Sequence, residues 1–523
     1  MVNGWGDGVD ITALGTALKA DVTFGDLFKD VTFANNVTSA QDVATVINDS
    51  ITTKELSEAF ARIVAQNVSG TGTAMVNNAI TVDQGYYIIV DTAAATKGDY
   101  KSYTLGMLQV VAGATVEATT KIDFPSFDKQ IGDINDSATA PEVTYNEAAD
   151  HDMGDHVPFR LTATIPSNID KYEIYNMTFH DDLQETVFAM DTNSVKTYYL
   201  EEGKEPVEIN TTSAVYAASA VEDDAKFNAE TKKSDGKEDF TVTIADIKTM
   251  KDTTGADIAI KAGGQIVVEY TATLTTDANM GATGNWNGAY LEYSHNPNKS
   301  GDGTPNKPND KEKSPVDYVV AFTYQTLVNK TDGISKQPLT GAGFTLLKKY
   351  TNMTGQTAWT TDSTDEKINA YAGDSYVAVT NISLNDAKTS FEFKGLDDGD
   401  YVLIETTVPD GYNPVDPIEF TITAEETQTD GAEALASLKS DKETEFKTGK
   451  VYQLTGEEGK QDYVNTNGAD NGSLTATIEN LKGATLPSTG GIGTTLFYLG
   501  GGAMVAVAGV FLITKKRMGK REN

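Results

Sequence analysis

The sequence predicts a mainly β protein of tandem immunoglobulin-like β-sandwich domains, with some helix in the N-terminal domain and a hydrophobic helix at the C-terminus. The chain has 523 residues, which at roughly 150 residues per domain suggests about three or four domains. It is rich in Thr, Gly, Asp, Val and Tyr, which favours strands joined by turns. Short segments of alternating apolar and polar residues recur between turn signals along most of its length.

These patterns change along the chain and divide it into units. Residues 41–68 carry apolar side chains at helical spacing, and residues 86–90 are predicted to form a strand. A polar stretch rich in Gly and Pro at 296–310 predicts a linker between two strand-rich regions. We therefore expect an N-terminal domain (1–120), a middle β-sandwich (121–297), a linker (298–314), a C-terminal β-sandwich (315–482) and a C-terminal tail (486–523).

The composition excludes several classes of function. With 41 Lys+Arg against 76 Asp+Glu, the net charge is −35, which argues against nucleic acid as a partner because phosphate binding needs basic patches. The absence of cysteine excludes disulfides, thiolate metal sites and cysteine nucleophiles. The four histidines show no metal-ligand spacing, and no complete calcium-binding loop is present. We therefore expect neither a metal nor a cofactor.

The C-terminal tail contains Leu486-Pro487-Ser488-Thr489-Gly490, then an apolar run at about 494–514 and a basic end. Such a run is long enough to span a bilayer as a helix, so the simplest interpretation is a membrane anchor. The order of pentapeptide, apolar span and basic tail resembles the cell-wall sorting signal of Gram-positive surface proteins. That resemblance implies that a sortase cleaves between Thr489 and Gly490, holds the Thr489 carbonyl as an acyl-enzyme and transfers it to an amine.

The start of the sequence departs from this pattern. A sorting-signal protein needs a secretory signal peptide, with a basic segment followed by an apolar one, and the first residues show neither. Either the start is misassigned, or the sequence is a fragment that lacks its leader and its first strands.

Strand parity places three polar residues of the C-terminal region on inward, apolar faces. Lys330 shares parity with apolar residues of its strand, and so do Asn480 and Glu405 in theirs. A desolvated lysine becomes a nucleophilic amine, and a desolvated carboxylic acid keeps its proton. Lys330 could then attack the Asn480 amide and expel ammonia while Glu405 shuttles protons. The simpler alternative is that Lys330 extends to solvent and Glu405 lies on an edge.

Two motifs favour the crosslink. Residues 401–412 (YVLIETTVPDGY) resemble the pilin E-box, with Val408 where alanine is usual, and residues 339–344 (LTGAGF) resemble a turn and strand of collagen-adhesin B-type domains. The resemblance to these domains implies an isopeptide bond between Lys330 and Asn480 that Glu405 catalyses.

The middle region shows a similar pattern. Segments at 154–159, 179–183 and 290–294 resemble the isopeptide-forming second domain of major pilins. Parity and this resemblance imply a bond between Lys129 and Asn287, with Asp181 as the acid. Asn285 is a rival to Asn287.

Major pilins assembled by sortase also need an exposed lysine that attacks the acyl-enzyme of the next subunit. By position, just before Lys129, that residue is Lys121, although the Tyr and Pro of the usual Y-P-K motif are missing. A surface lysine is otherwise an ordinary solvated charge.

The resemblance thus implies a structural backbone subunit of a covalent pilus. Its partners would be a sortase, identical subunits and peptidoglycan, with minor pilins or a host ligand as further partners, and its location would be the cell wall. The alternative is an adhesin anchored singly to the wall. A wall-anchored enzyme is disfavoured because the sequence shows no nucleophile elbow and no phosphate-binding loop.

Overall fold

A computed structural model of the protein gives the architecture of the folded domains. The described residues are 2–69, 72–76, 79–91, 93–113, 115–116, 122–139, 142–184, 186–218, 240–304, 307–373, 375–443, 445–448, 450–454, 461–465 and 472–483. The pentapeptide, the predicted C-terminal helix and Lys121 lie outside them. No helix within these ranges is long and apolar enough to cross a membrane.

The N-terminal domain packs helices around an aromatic core. Its helices are α1 (Ile11–Ala20), α2 (Gly25–Phe28), α3 (Val37–Ser50) and α4 (Lys54–Gln66). Its strands are β1 (Gly85–Val90), β2 (Ala95–Lys97), β3 (Tyr100–Ser102) and β4 (Leu105–Val110). The helical pattern at 41–68 is confirmed as two helices, because the Thr53 side chain accepts a hydrogen bond from the Leu56 amide and starts α4. The strand predicted at 86–90 is confirmed as β1, which pairs with β4.

The middle domain is a sandwich of two sheets. Its strands are β5 (Ser126–Asp133), β6 (Thr144–Asn146), β7 (Ala148–Asp150), β8 (His156–Thr164), β9 (Met177–Leu183), β10 (Phe188–Met190), β11 (Lys196–Leu200), β12 (Val207–Glu208), β13 (Val215–Ala218), β14 (Phe240–Ile244), β15 (Gln265–Leu274), β16 (Asn285–Ser294), β17 (Ser300–Thr304), β18 (Lys307–Asn309), β19 (Lys311–Lys313) and β20 (Asp317–Phe322). Within the described ranges, one sheet has the order β12-β11-β15-β8-β5-β6 and the other β13-β14-β9-β16-β20-β7. Four short 3₁₀ turns lie between these strands, at Ile169–Lys171, Ile247–Thr249, Gly281–Thr283 and Pro297–Lys299.

The linker predicted at 298–314 is wrong. This segment forms β17, β18 and β19, and β19 pairs with β16 so that Glu292 lies opposite Lys313. Strand β20, which was assigned to the C-terminal domain, also pairs with β16. The Gly- and Pro-rich composition resembles a linker, but backbone pairing along the sheet and burial of Ser300 hold the segment in place. The middle domain therefore extends to Phe322.

The C-terminal domain is a second sandwich. It contains the short helix α5 (Glu366–Asn369) and strands β21 (Tyr324–Asp332), β22 (Gly343–Lys349), β23 (Tyr376–Ala378), β24 (Ile382–Leu384), β25 (Ser390–Leu396), β26 (Gly399–Thr407), β27 (Ile418–Thr427), β28 (Ala434–Ser440), β29 (Phe446–Thr448), β30 (Lys450–Leu454), β31 (Gln461–Asn465) and β32 (Ser473–Asn480). One sheet has the order β24-β25-β21-β32-β29 and the other β23-β22-β26-β27-β28, while β30 and β31 pair with each other. The first and last strands, β21 and β32, lie side by side in parallel. The fold confirms the predicted mainly β class.

Candidate crosslinking sites

The predicted triad of the C-terminal domain meets in its core. Lys330 on β21 and Asn480 on β32 come from the parallel strand pair, and Glu405 comes from β26 in the facing sheet. Their exposed fractions are 1%, 1% and 4%. The inward parity that the sequence gives to each residue is therefore what the structure shows.

The contacts in this site form a triangle. Lys330 Nζ contacts Asn480 Oδ1 directly and lies 3.3 Å from Glu405 Oε1. The Asn480 amide nitrogen donates to both Glu405 oxygens, at 2.9 and 3.1 Å. The Val415 amide donates to Glu405 Oε2 at 3.0 Å and fixes the carboxyl group. The amine, the amide and the acid are thus in mutual contact.

The surroundings of Lys330 favour its neutral amine form. Burial lowers the pKa of Lys330, and the Glu405 carboxylate opposes that shift. The ring of Phe344 lies 5.6 Å from Nζ and helps to exclude water. A neutral amine is the form that can act as a nucleophile.

The predicted triad of the middle domain also meets in a core. Lys129 on β5 faces Asp181 on β9 and Asn287 on β16, so the site joins the two sheets. In the pairing of β9 with β16, Asn287 lies opposite Leu183, two residues from Asp181. All three side chains are buried, and Lys129 Nζ lies 2.6 Å from Asp181 Oδ2.

Burial shifts the pKa values of the two ionisable groups of this second site in opposite directions. Burial lowers the pKa of Lys129 although Asp181 opposes the shift. Burial also raises the pKa of Asp181, against the opposing effect of Lys129. Both shifts favour a neutral amine next to a neutral carboxylic acid.

The alternative residue Asn285 is buried as well, but its side-chain amide is hydrogen bonded to backbone groups. Its Nδ2 donates to the carbonyls of Asn279 and Ala321 at 3.0 and 3.1 Å, and its Oδ1 accepts from the Asn279 amide at 2.8 Å. Asn287 is instead bound to Tyr270 beside Lys129 and Asp181. The geometry therefore favours Asn287 over Asn285 as the partner of Lys129.

A third buried lysine that lies in a strand was not found by the sequence analysis. Lys348 on β22 contacts three carboxylates: Asp397 of its own domain at 2.5 Å, and Asp152 and Asp136 of the middle domain at 2.7 and 3.0 Å. Tyr350 donates to Asp152 at 2.9 Å. Burial alone would lower the pKa of Lys348, but Asp152 and Asp397 raise it well above its usual value.

The lysine of this interdomain ion cluster, which we define as Lys348 with Asp136, Asp152 and Asp397, could have been found by the same parity argument. Lys348 shares parity with the buried residues Phe344 and Leu346 on β22. The carboxylates come from distant parts of the sequence, so no local pattern predicts that they meet. With Asp155, their oxygens lie within 4.8 Å of one another, close enough to bind a metal ion, but the Lys348 ammonium already supplies a cation.

Two protein families match parts of the C-terminal half of the chain. Residues 325–434 match the SpaA family of prealbumin-like fold domains, and residues 479–518 match the LPXTG cell wall anchor motif. The anchor motif indicates a location at the cell wall surface.

Individual relatives are surface and pilus proteins. The chain is 26% identical over 287 residues to the trypsin-resistant surface T6 protein of Streptococcus pyogenes serotype M6, a match that covers 48% of this chain and 48% of the relative. The match thus spans about half the length of that relative. The solved T6 backbone pilin of serotype M6 Streptococcus pyogenes is 16% identical, with 83% of this chain and 91% of that chain covered and a TM-score of 0.45.

A pilus 2b backbone protein of group B streptococcus is 19% identical, with 65% of this chain and 97% of that chain covered and a TM-score of 0.35. Together with the two family matches, the T6 relative confirms the predicted resemblance to sortase-assembled backbone pilins. These are structural proteins rather than enzymes.

Proposed function

We propose that this chain is the structural backbone subunit of a covalently polymerised pilus, and that isopeptide bonds stabilise two of its domains. The observation that carries the proposal is the triangle of Lys330, Asn480 and Glu405 between the first and last strands of a SpaA-type domain. A bond at this place would tie both ends of the domain together, so that tension along the shaft would not act on hydrogen bonds alone.

The reaction in each domain is an amide exchange. The lysine transfers its extra proton to the neighbouring carboxylate, and the neutral amine attacks the side-chain carbonyl carbon of asparagine. A new C–N bond forms between lysine Nζ and asparagine Cγ, and the bond from Cγ to Nδ2 breaks. The carboxyl group carries a proton from Nζ to Nδ2, which leaves as ammonia. Each bond therefore removes the mass of one ammonia.

Joining of subunits would use the tail. A sortase would hold Thr489 as an acyl-enzyme after cleavage before Gly490, and Lys121 of the next subunit would attack that carbonyl. The last subunit would be transferred to peptidoglycan. The cell-wall anchor match supports this assignment.

Intact-mass spectrometry tests the internal bonds. The whole chain, kept in mild detergent for its apolar tail, should lack two ammonias, and Glu405→Ala should lack one. The unmodified mass would contradict both proposed bonds.

Assembly with the sortase tests the polymer. The chain should give a ladder of high-mass species, and Lys121→Ala should abolish the ladder. Lys97→Ala is the matched control, since Lys97 is an exposed lysine of the N-terminal domain that precedes Lys121. A single wall-attached band from the unchanged chain would favour the singly anchored adhesin instead.

A further inference from the structure

The middle-domain site contains a fourth polar group, the hydroxyl of Tyr270 on β15. Tyr270 lies on the inward face of its strand and is 2% exposed. Its ring stacks on Phe159 with centroids 5.2 Å apart and meets Phe240 edge-on at 4.9 Å. These contacts hold the hydroxyl at a fixed point in the core, where a phenol needs hydrogen-bond partners.

The Tyr270 hydroxyl contacts both the amine and the amide of the proposed reaction. Its oxygen lies 3.2 Å from Lys129 Nζ and 2.6 Å from the side-chain amide of Asn287. The hydroxyl and the Asn287 amide also lie near the Asp181 carboxyl group, where both oppose the rise in its pKa that burial causes. No other hydroxyl among the described residues is hydrogen bonded to this lysine.

The structure has the Asn287 amide nitrogen donating to the Tyr270 hydroxyl, but the short distance favours the opposite orientation of the amide. A separation of 2.6 Å is shorter than the usual N–H···O range of about 2.7–3.2 Å and lies within the usual O–H···O range. With Nδ2 turned toward Tyr270, Asn287 Oδ1 is buried without a partner among the described residues. The two orientations of an amide have almost the same shape, so the carbonyl oxygen fits the same place.

We propose that Tyr270 is a catalytic residue of the Lys129–Asn287 reaction and donates its hydroxyl proton in a hydrogen bond to the Asn287 carbonyl oxygen. This inference rests on the isopeptide bond proposed above. As Lys129 Nζ bonds to Cγ, the carbonyl electron pair moves onto Oδ1. Tyr270 then stabilises that oxygen as a hydrogen-bond donor. When the pair returns, Asp181 passes the proton that it took from Lys129 Nζ to Nδ2, the bond from Cγ to Nδ2 breaks and ammonia leaves, while Tyr270 keeps its proton.

The C-terminal site provides an internal control. The hydrogen bonds of the Asn480 amide go to Lys330 and Glu405, and none joins it to a tyrosine hydroxyl within the described ranges. A change at Tyr270 should therefore slow one bond and leave the other in the same molecule unaffected.

The test compares the formation of the two bonds in one chain. Whole chains are pulse-labelled during expression, and the crosslinked peptide containing Lys129 and Asn287 is measured against the peptide containing Lys330 and Asn480. Because loss of one donor to a developing oxyanion costs roughly 100-fold or more in rate, Tyr270→Phe should slow only the first bond by about that factor. Tyr293→Phe is the control: Tyr293 is buried in the same core, but its hydroxyl binds the Lys101 backbone.

A second measurement distinguishes a catalytic role of the Tyr270 hydroxyl from a packing role of its ring. Fluorotyrosines of graded acidity at position 270 keep the ring shape and change the strength of the donor, so the rate of the Lys129–Asn287 bond should vary with phenol acidity. Equal rates in the unchanged chain and in Tyr270→Phe would overturn the proposal for Tyr270 alone. If Tyr270→Phe fails to fold, a rate independent of phenol acidity overturns it. If the unchanged chain forms no Lys129–Asn287 bond, the proposed function of this site fails as well.

Discussion

Two kinds of buried lysine occur in the strands of the β domains, among the residues that the structure describes, and their surroundings differ in the number of carboxylates. Lys129 and Lys330 each lie beside one ion-paired carboxyl group and one asparagine, and the pKa of each is lowered by burial. Lys348 lies among three carboxylates at the junction of the two domains, and its pKa is raised. Burial alone therefore does not make a lysine nucleophilic. One acid leaves the amine able to lose its proton, whereas three acids hold the ammonium form.

The largest effect is expected from removing the amide at the C-terminal site. Asn480→Ala should lack one ammonia instead of two, and the free energy of unfolding of that domain should fall. The bond closes a loop over a sequence separation of 150 residues, so the chain-entropy model gives a loss of about 5 kcal/mol. Denaturant unfolding together with intact mass measures both effects.

Asn329→Ala is the matched control for that substitution. Asn329 is also a buried asparagine of this strand pair, but it binds the Ser390 hydroxyl instead of a lysine. The Asn329→Ala chain should therefore still lack two ammonias. A deficit of two in Asn480→Ala would show that Lys330 bonds elsewhere.

The ion-paired lysine should behave in the opposite way. Lys348→Met leaves three carboxylates near the interface without their cation, and loss of one partner of a buried pair costs roughly 3–5 kcal/mol. The mass deficit should stay at two ammonias, because the hydrogen bonds of Lys348 within the described part of the chain go to carboxylates and not to an asparagine. A denaturant titration that monitors unfolding of the middle and C-terminal domains measures the loss of stability.

Lys349→Met serves as the control, since the Lys349 side chain is 39% exposed and pairs with Asp400 alone at 3.3 Å. An exposed pair of this kind contributes about 0–1 kcal/mol. A smaller mass deficit in Lys348→Met would place Lys348 in a crosslink and remove the contrast between the two kinds of lysine.

A smaller effect is expected where the backbone of the C-terminal domain meets the middle domain. Gly395 has a φ of +73°, and a Cβ atom there would lie 2.5 Å from the Met153 side chain. Gly355 has a φ of +82° but open space around it. Gly395→Ala should therefore cost about 1–3 kcal/mol more than Gly355→Ala, because only the first overpacks the junction. Equal losses of stability for the two variants in thermal unfolding would show that the junction accommodates the added methyl group.

A pH dependence is also expected for the same junction. Burial raises the pKa of Asp398 to about 6, of Glu426 to about 7 and of Glu147 to about 8. A carboxyl group whose pKa is raised by folding stabilises the folded state at low pH and loses that contribution as the pH rises through the folded value. The junction should thus be more stable at about pH 5 than at about pH 9, as measured by denaturant midpoints.

Glu147→Gln should flatten the upper part of that dependence, because it removes the group with the highest of the three values. Its control is Glu142→Gln at an exposed position. A profile that rises from pH 5 to pH 9 would contradict the assigned direction.

Much of each candidate site could be predicted from the sequence because strand parity depends only on neighbouring residues. Lys330, Asn480 and Glu405 were placed inward by parity, and their motifs resemble a known domain type. The sequence could not separate Asn287 from Asn285, since both have the same parity on β16. It also could not identify Tyr270 as part of the site, because its strand has an ordinary apolar pattern.

The sequence by itself determined the class of the protein: its mainly β domains, its N-terminal helices, the anchor motif and the residues with inward parity. These features follow from local spacing and from short motifs. The tertiary structure decided that residues 298–322 belong to the middle domain, because only the pairing of β19 and β20 with β16 shows it. It also decided the direction in which the pKa of Lys129, Lys330 and Lys348 is shifted, since that depends on how many carboxylates from distant segments surround the amine.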